Sequence, residues 1–179
     1  MSATGRHRIE LRLRDLAQLF NMMDPSPFYD RDLDAAAEEF IVSWAHELSR
    51  EGELELVIHL ATTPPPERAA GTEDAVRHYF ANRAEMKGRE LRQLLRRGRI
   101  SLFIGVGFLG ACFGLGLFSQ RLLSGAWNEF IETGLQIVGW VAMWRPLEIF
   151  LYDWWPIRND RHLLKRLARM RVTLLTAAA

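Results

Sequence analysis

The chain has 179 residues, 49% of them hydrophobic, with 23 Lys+Arg against 22 Asp+Glu and one cysteine. A single cysteine excludes an intrachain disulfide framework, and a net charge of +1 is not the bulk signature of a nucleic-acid binder. The balance hides a division. Residues 1–82 hold 8 basic and 15 acidic side chains, a net −7, and the remainder holds 15 and 7, a net +8. That asymmetry predicts an acidic aqueous domain joined to a basic membrane-proximal part.

The N-terminus, MSATGRHRIELRLRD, contains no apolar stretch of signal-peptide type, so insertion is expected to rest on internal segments. His7–Arg14 alternates, with Ile9, Leu11 and Leu13 on one face. Glu53–Leu60 does the same with Leu54, Leu56 and Ile58. Period two with one apolar face predicts two half-buried strands, paired in one small sheet. Between them, Asp15–Asn21 suits a short helix broken by Asp24-Pro-Ser-Pro. A helix is expected from about Leu33 to Arg50, with Asp32 as N-cap. Phe40, Ile41, Trp44 and Leu48 form its apolar stripe. Thr62–Gly71, with three consecutive prolines, reads as a linker. Thr72 then caps a long helix that starts apolar and becomes basic.

Ile100–Phe118 is nineteen residues without a charge. As a helix with about 1.5 Å rise per residue it is roughly 28 Å long, close to a bilayer's hydrocarbon thickness. Thr133–Trp155 is a second apolar stretch. The organisation expected is an α+β domain (1–71) with a two-stranded sheet and a basic connecting helix (72–99). A two-helix transmembrane hairpin (100–156, spans about 100–118 and 133–155) and a basic amphipathic tail (157–179) complete it. Arg83–Arg99 carries seven basic residues against two acidic, and Arg158–Arg171 six against one. The connection Ser119–Glu132 has only Arg121. The positive-inside rule therefore predicts both termini on the cytoplasmic side. Trp127 suits the outer interface, and Tyr152, Trp154 and Trp155 the inner one. The tail, with Leu163, Leu164, Leu167, Met170 and Leu174 between basic residues, suits either an anionic leaflet or packing on the acidic domain.

Five glycines occupy the first span, and Gly110-Ala-Cys-Phe-Gly114 is a GxxxG arrangement with Gly107 on nearly the same face. Such a face lets another helix approach closely, either the second span, with Gly134 or Gly139 near the contact, or a neighbouring copy. Arg145 and Glu148 are the expensive residues. Spaced i,i+3 within an apolar segment, they neutralise each other, with Asp153 as a further acid. Pro146 has no amide to give Ala142, which favours a kink. Two readings stand for the pair: a snorkelling arginine with its counter-ion, or a polar site in a pathway through the membrane.

Asp30-Arg-Asp-Leu-Asp34 resembles the opening of a calcium loop, but Ala35 stands where glycine is required and Ile41 where a bidentate Glu belongs. The five histidines show no metal-ligand spacing, and no P-loop, GxGxxG or GxSxG motif is present. No metal, cofactor or catalytic activity is therefore expected. The basic runs border the spans and are accounted for by topology, so nucleic acid is not an expected partner.

The stretch WRPLEIFLYDWWPIRNDRHLLKRL (144–167) resembles the end of the second span in small bacterial membrane proteins that carry a soluble N-terminal part and two spans. Asp24-Pro-Ser-Pro-Phe28 before an acidic helix start is similar too. The resemblance implies a bacterial inner-membrane location and no activity. The expected function is a non-enzymatic, multi-pass inner-membrane protein anchoring a cytoplasmic interaction or regulatory domain. Its expected partners are the bilayer, anionic lipids at the basic flanks, and a homo-oligomer or membrane protein. The alternative is an oligomeric two-span channel with Arg145 and Glu148 as its polar site.

Overall fold

The computed structural model describes residues 7–48, 52–122 and 125–176. In chain order these form β1 (His7–Leu13), 3-10 turns at Leu16–Leu19 and Phe28–Asp30, α1 (Ala35–Glu47), β2 (Leu54–Leu60) and α2 (Pro66–Leu122). They continue as α3 (Ala126–Glu148), a π-helical segment (Ile149–Asp153), α4 (Trp154–Leu167) and β3 (Arg171–Thr176). The chain divides into two compact units: residues 1–87 with 159–179, and residues 88–158.

The first unit is a mixed α and β structure around a three-stranded sheet in the order β1-β2-β3, every pairing parallel. The two strands read from the sequence do pair, Ile9 opposite Leu56 and Leu11 opposite Ile58. The expected two-stranded sheet is nevertheless wrong, because β3 adds to the far side of β2, with Val172 opposite Leu56. Parallel neighbours cannot be joined by a tight turn and need a crossover, which α1 supplies between β1 and β2. The apolar alternation of the strands, Ile9, Leu11, Leu56, Ile58 and Val172, faces a core completed by Ile41, Val76, Phe80, Leu164 and Leu167. Ile9, Ile41, Leu56, Ile58 and Phe80 are fully buried, each contributing about 1.5–3 kcal/mol on transfer from water.

Local chemistry explains where the elements start and stop. Asp34, not Asp32, caps α1, its Oδ1 accepting from the amides of Ala36 at 3.0 Å and Ala37 at 3.4 Å. The helix ends at Glu47, short of the expected Arg50, because Leu48 is already extended; residues 49 and 50 lie outside the described residues. Its buried positions are Ala37, Ile41 and Ala45, whereas Trp44 is largely exposed. Gly52 turns the chain into β2 with φ of 112°, a conformation that L side chains resist. The helix predicted to start at Thr72 begins instead at Pro66, because proline is well tolerated in a first turn. Thr72 is an interior residue whose hydroxyl donates to the Arg68 carbonyl at 2.7 Å.

The second correction concerns the helices. The connecting helix does run on into the first span, as one uninterrupted α2 of 57 residues. The predicted second span is not a helix of its own. It passes from α3 through the π-helical segment into α4, which belongs in part to the sheet-bearing unit. A sheet of two strands followed by a self-contained two-helix transmembrane hairpin is therefore not the architecture. Among the described residues one helix, Pro66–Ser119, is long and apolar enough to cross a membrane. Its most apolar stretch has a mean hydropathy of 2.1 and is 17% buried. The run in α3 lacks that character because Glu129, Glu132, Gln136, Arg145 and Glu148 interrupt it.

The predicted amphipathic tail is present as α4, with Leu163, Leu164 and Leu167 buried in the core of the sheet-bearing unit. Leu174 does not continue that helix. It lies on β3, opposite Ile58.

Candidate functional site

The helical unit, residues 88–158, leaves most of its large apolar side chains uncovered. Phe103 is 78% exposed, Trp127 and Phe130 are 73% exposed, and so is Trp144. Ile104, Val106, Leu115, Leu117, Ile137, Trp140 and Leu151 are exposed as well. A water-soluble surface rarely carries such a continuous apolar area.

Within this unit α2 and α3 pack antiparallel along a line of small residues and sulfur atoms. A Cβ placed on Gly139 would stand 2.8 Å from Leu109 Cδ1 and 3.3 Å from Cys112 Cβ. One placed on Gly105 would stand 3.1 Å from the Ala142 carbonyl oxygen and 3.1 Å from Met143 Sδ. Ala142 is the residue whose helical donor Pro146 removes, so Gly105 lies against a carbonyl that the proline has left short of a partner. Pro146 is itself fully buried. Further along, Gly98 faces Ile149 and Phe150, the first residues of the π-helical segment. Cys112, the one cysteine, is buried at this seam.

The glycines singled out from the sequence lie elsewhere. Gly107, Gly110 and Gly114 have open space where a side chain would be, with nothing within 4 Å. Among the described residues the three GxxxG-face glycines thus have no close neighbour, and the close approach is carried by Gly98, Gly105 and Gly139.

Arg145 and Glu148 do come together, Nη1 standing 2.7 Å from Glu148 Oε2. The same nitrogen lies 3.7 Å from Asp153 Oδ2, across the π-helical turn. One guanidinium thus faces two carboxylates, beside the surface of Trp144, Leu147, Leu151 and Tyr152. The extra residue per turn of a π segment brings Asp153 toward Arg145, a detail that helical spacing does not anticipate.

In the sheet-bearing unit the polar cluster of note is Glu38 with Arg83 and Tyr79. Arg83 donates to Glu38 Oε1 from Nε at 2.8 Å, with Nη2 at 2.7 Å, and the Tyr79 hydroxyl donates to Oε2 at 2.7 Å. Burial, then the bond to Glu38, pushes the Tyr79 hydroxyl well above its ordinary range, so it stays a donor. The acidic run Asp30–Asp34 is dispersed: Asp34 caps α1, the Asp32 amide donates to Asp24, and Asp30 lies 3.5 Å from His78. His46 and His59 likewise stand beside single carboxylates, Asp160 at 4.0 Å and Glu10 at 3.6 Å. Among the described residues no three His, Cys, Asp or Glu side chains converge as metal ligands would.

No protein-family model, curated protein or solved structure matches this chain.

Proposed function

We propose that the protein is an integral membrane protein of a bacterial inner membrane. In this reading its helical unit is embedded in lipid, and its sheet-bearing unit serves, without catalysis of its own, as a cytoplasmic interaction or regulatory domain. The observation that carries the reading is the apolar half of α2. It is long enough to cross a bilayer, and 17% of its most apolar stretch is buried within the protein, so lipid is the solvent that suits it.

Chain connectivity supports the topology. The sheet takes β1 and β2 from before the helical unit and β3 from after it, an arrangement that supports a reading with both flanks of that unit on one side of the bilayer. If α2 carries the chain outward, α3 must bring it back. The basic runs Arg83–Arg99 and Arg158–Arg171 flank the unit and favour the cytoplasm as the shared side. Arg145 then lies near the inner headgroups, where Tyr152, Trp154 and Trp155 suit the interface and Glu148 and Asp153 lower its cost.

The test uses the full chain in bacteria. Cys112 is changed to Ser, and single cysteines are placed at Met23, in the sheet-bearing unit, and at Trp127. A membrane-impermeant maleimide applied to intact spheroplasts should label Trp127→Cys and spare Met23→Cys until the membrane is opened. Recovery of the unmodified chain in the carbonate-soluble fraction, or labelling of Met23→Cys in sealed cells, overturns the proposal.

A second reading has one observation in its favour. Among the described residues nothing lies within 4 Å of where a Cβ would stand on Gly107, Gly110 or Gly114, which leaves room there for a neighbouring copy. Several copies would then assemble a pore, with Arg145 and Glu148 along it. Liposome flux that Arg145→Ala abolishes supports it, and no flux from well-folded oligomers removes it.

A further inference from the structure

The N-terminal ends of β2 and β3 meet in a cleft of about 500 Å³ that neither the sequence motifs nor the membrane reading accounts for. Arg77 of α2, Arg166 of α4, Arg169 of the following turn and Arg171 of β3 all line it. Two of these guanidiniums are held by backbone carbonyls. Arg77 Nε donates to the Met170 oxygen at 2.9 Å, and Arg166 Nη2 donates to the Gly52 oxygen at 3.2 Å. Arg77 also meets Glu73 at 2.7 Å.

Glu53 and Glu55 line the cleft as well, so their charge counts against the arginines. Glu55 is engaged on both oxygens, by Arg8 Nε at 3.2 Å and by the Thr173 hydroxyl at 3.3 Å. With Arg8 and Glu73, the partners of Glu55 and Arg77, five guanidiniums stand against three carboxylates, a surplus of two positive charges. Arg169 and Arg171 supply that surplus. Among the described residues neither makes an ion pair or side-chain hydrogen bond, and both are exposed.

We propose that this cleft binds a phosphate group presented as a dianion. A guanidinium offers a planar fork of donors matched to two phosphate oxygens. The two carbonyl-anchored arginines give fixed orientation and the two unpaired ones give charge. Holding two surplus positive charges together is unfavourable in the empty protein, and a bound dianion offsets them. The volume suits a small phosphate ester or one lipid headgroup. The inference stands apart from the membrane reading, because every lining residue belongs to the sheet-bearing unit.

The full chain in neutral detergent is titrated with inorganic pyrophosphate while its melting temperature is followed. A parallel arm uses phosphatidylcholine vesicles with and without phosphatidic acid. A ligand that binds only the native state raises the melting temperature with concentration. A rise with pyrophosphate assigns the cleft to soluble phosphates, and a rise with phosphatidic acid alone assigns it to a lipid headgroup. The double variant Arg169→Gln, Arg171→Gln should weaken the effective ligand at least tenfold, while Arg96→Gln, outside the cleft, leaves it unchanged. Should the glutamine pair fail to fold, Arg169→Lys, Arg171→Lys decides: a several-fold loss supports the assignment and wild-type affinity overturns it. No stabilisation in either arm, or equal stabilisation of the glutamine double variant, also overturns it.

Discussion

At the scale of single residues, Glu38 serves two donors from one helix. With a side chain only 18% exposed, it accepts from Arg83 and Tyr79, both on α2. Removing it strands a phenol and part of a guanidinium, so Glu38→Ala should cost about 1–3 kcal/mol and Tyr79→Phe about 1 kcal/mol. Thermal unfolding in detergent measures both, and a Glu38→Ala protein that melts like the wild type would contradict this account. Asp24 carries a pH dependence. The Asp32 amide, then the Ser26 hydroxyl and amide, hold its carboxyl down to about 2 from an ordinary value of 3.8. A depressed folded-state value means the carboxylate contributes stability above pH 4 and loses that contribution as the pH falls toward 2. Asp24→Ala should therefore melt lower than the wild type at neutral pH, and the gap between the two should narrow below pH 4. A gap of constant size across that range would show that the loop is not held by the charge.

At the scale of elements, the seam between α2 and α3 separates two kinds of glycine. Gly105→Leu drives a side chain into the Ala142 carbonyl and Met143, and Gly139→Leu drives one into Leu109 and Cys112. Each should cost about 1–3 kcal/mol through overpacking. Gly107→Leu and Gly114→Leu enter open space and should leave the melting temperature of the single chain unchanged. Differential scanning in detergent distinguishes the two groups. The sequence offered Gly139 as a contact between the two helices, and it lies at the seam. The GxxxG spacing pointed to the wrong face of α2, because small-residue spacing shows that a helix can be approached and not which helix approaches it. β1 and β2 were legible since Ile9, Leu11, Leu56 and Ile58 alternate cleanly. β3 was not, since Leu174 continues the 3.6-residue spacing of Leu163, Leu164, Leu167 and Met170. What separates it is β-branched Val172, Thr173 and Thr176, in a segment too short for period two to stand out. The Arg145–Glu148 pair followed from spacing alone, but Asp153 joins it through a π turn that spacing does not encode.

At the scale of the molecule, the central strand is completed from the far end of the chain. Thr173 and Glu55, joined across β2 and β3, are 118 residues apart in sequence. The sheet cannot close until the helical unit has been made, and non-local parallel pairing of this kind folds slowly. Without β3, β2 becomes an edge, losing a ladder partner on that side and its cover from Val172, which is 8% exposed in the complete chain. A chain ending at Met170 should therefore keep a helical spectrum from α2 and α3 while its sheet-bearing unit opens. Limited trypsin digestion in detergent reads this directly, because Arg8, Arg12 and Arg14 lie on or just after β1. The full chain should resist cleavage there, and the shortened chain should be cut at least tenfold faster. Val172→Asp, which buries a charge at the same place in a chain of full length, should reproduce the effect and exclude simple end fraying as its cause. Equal resistance in all three proteins would mean that β1 and β2 hold without their third strand.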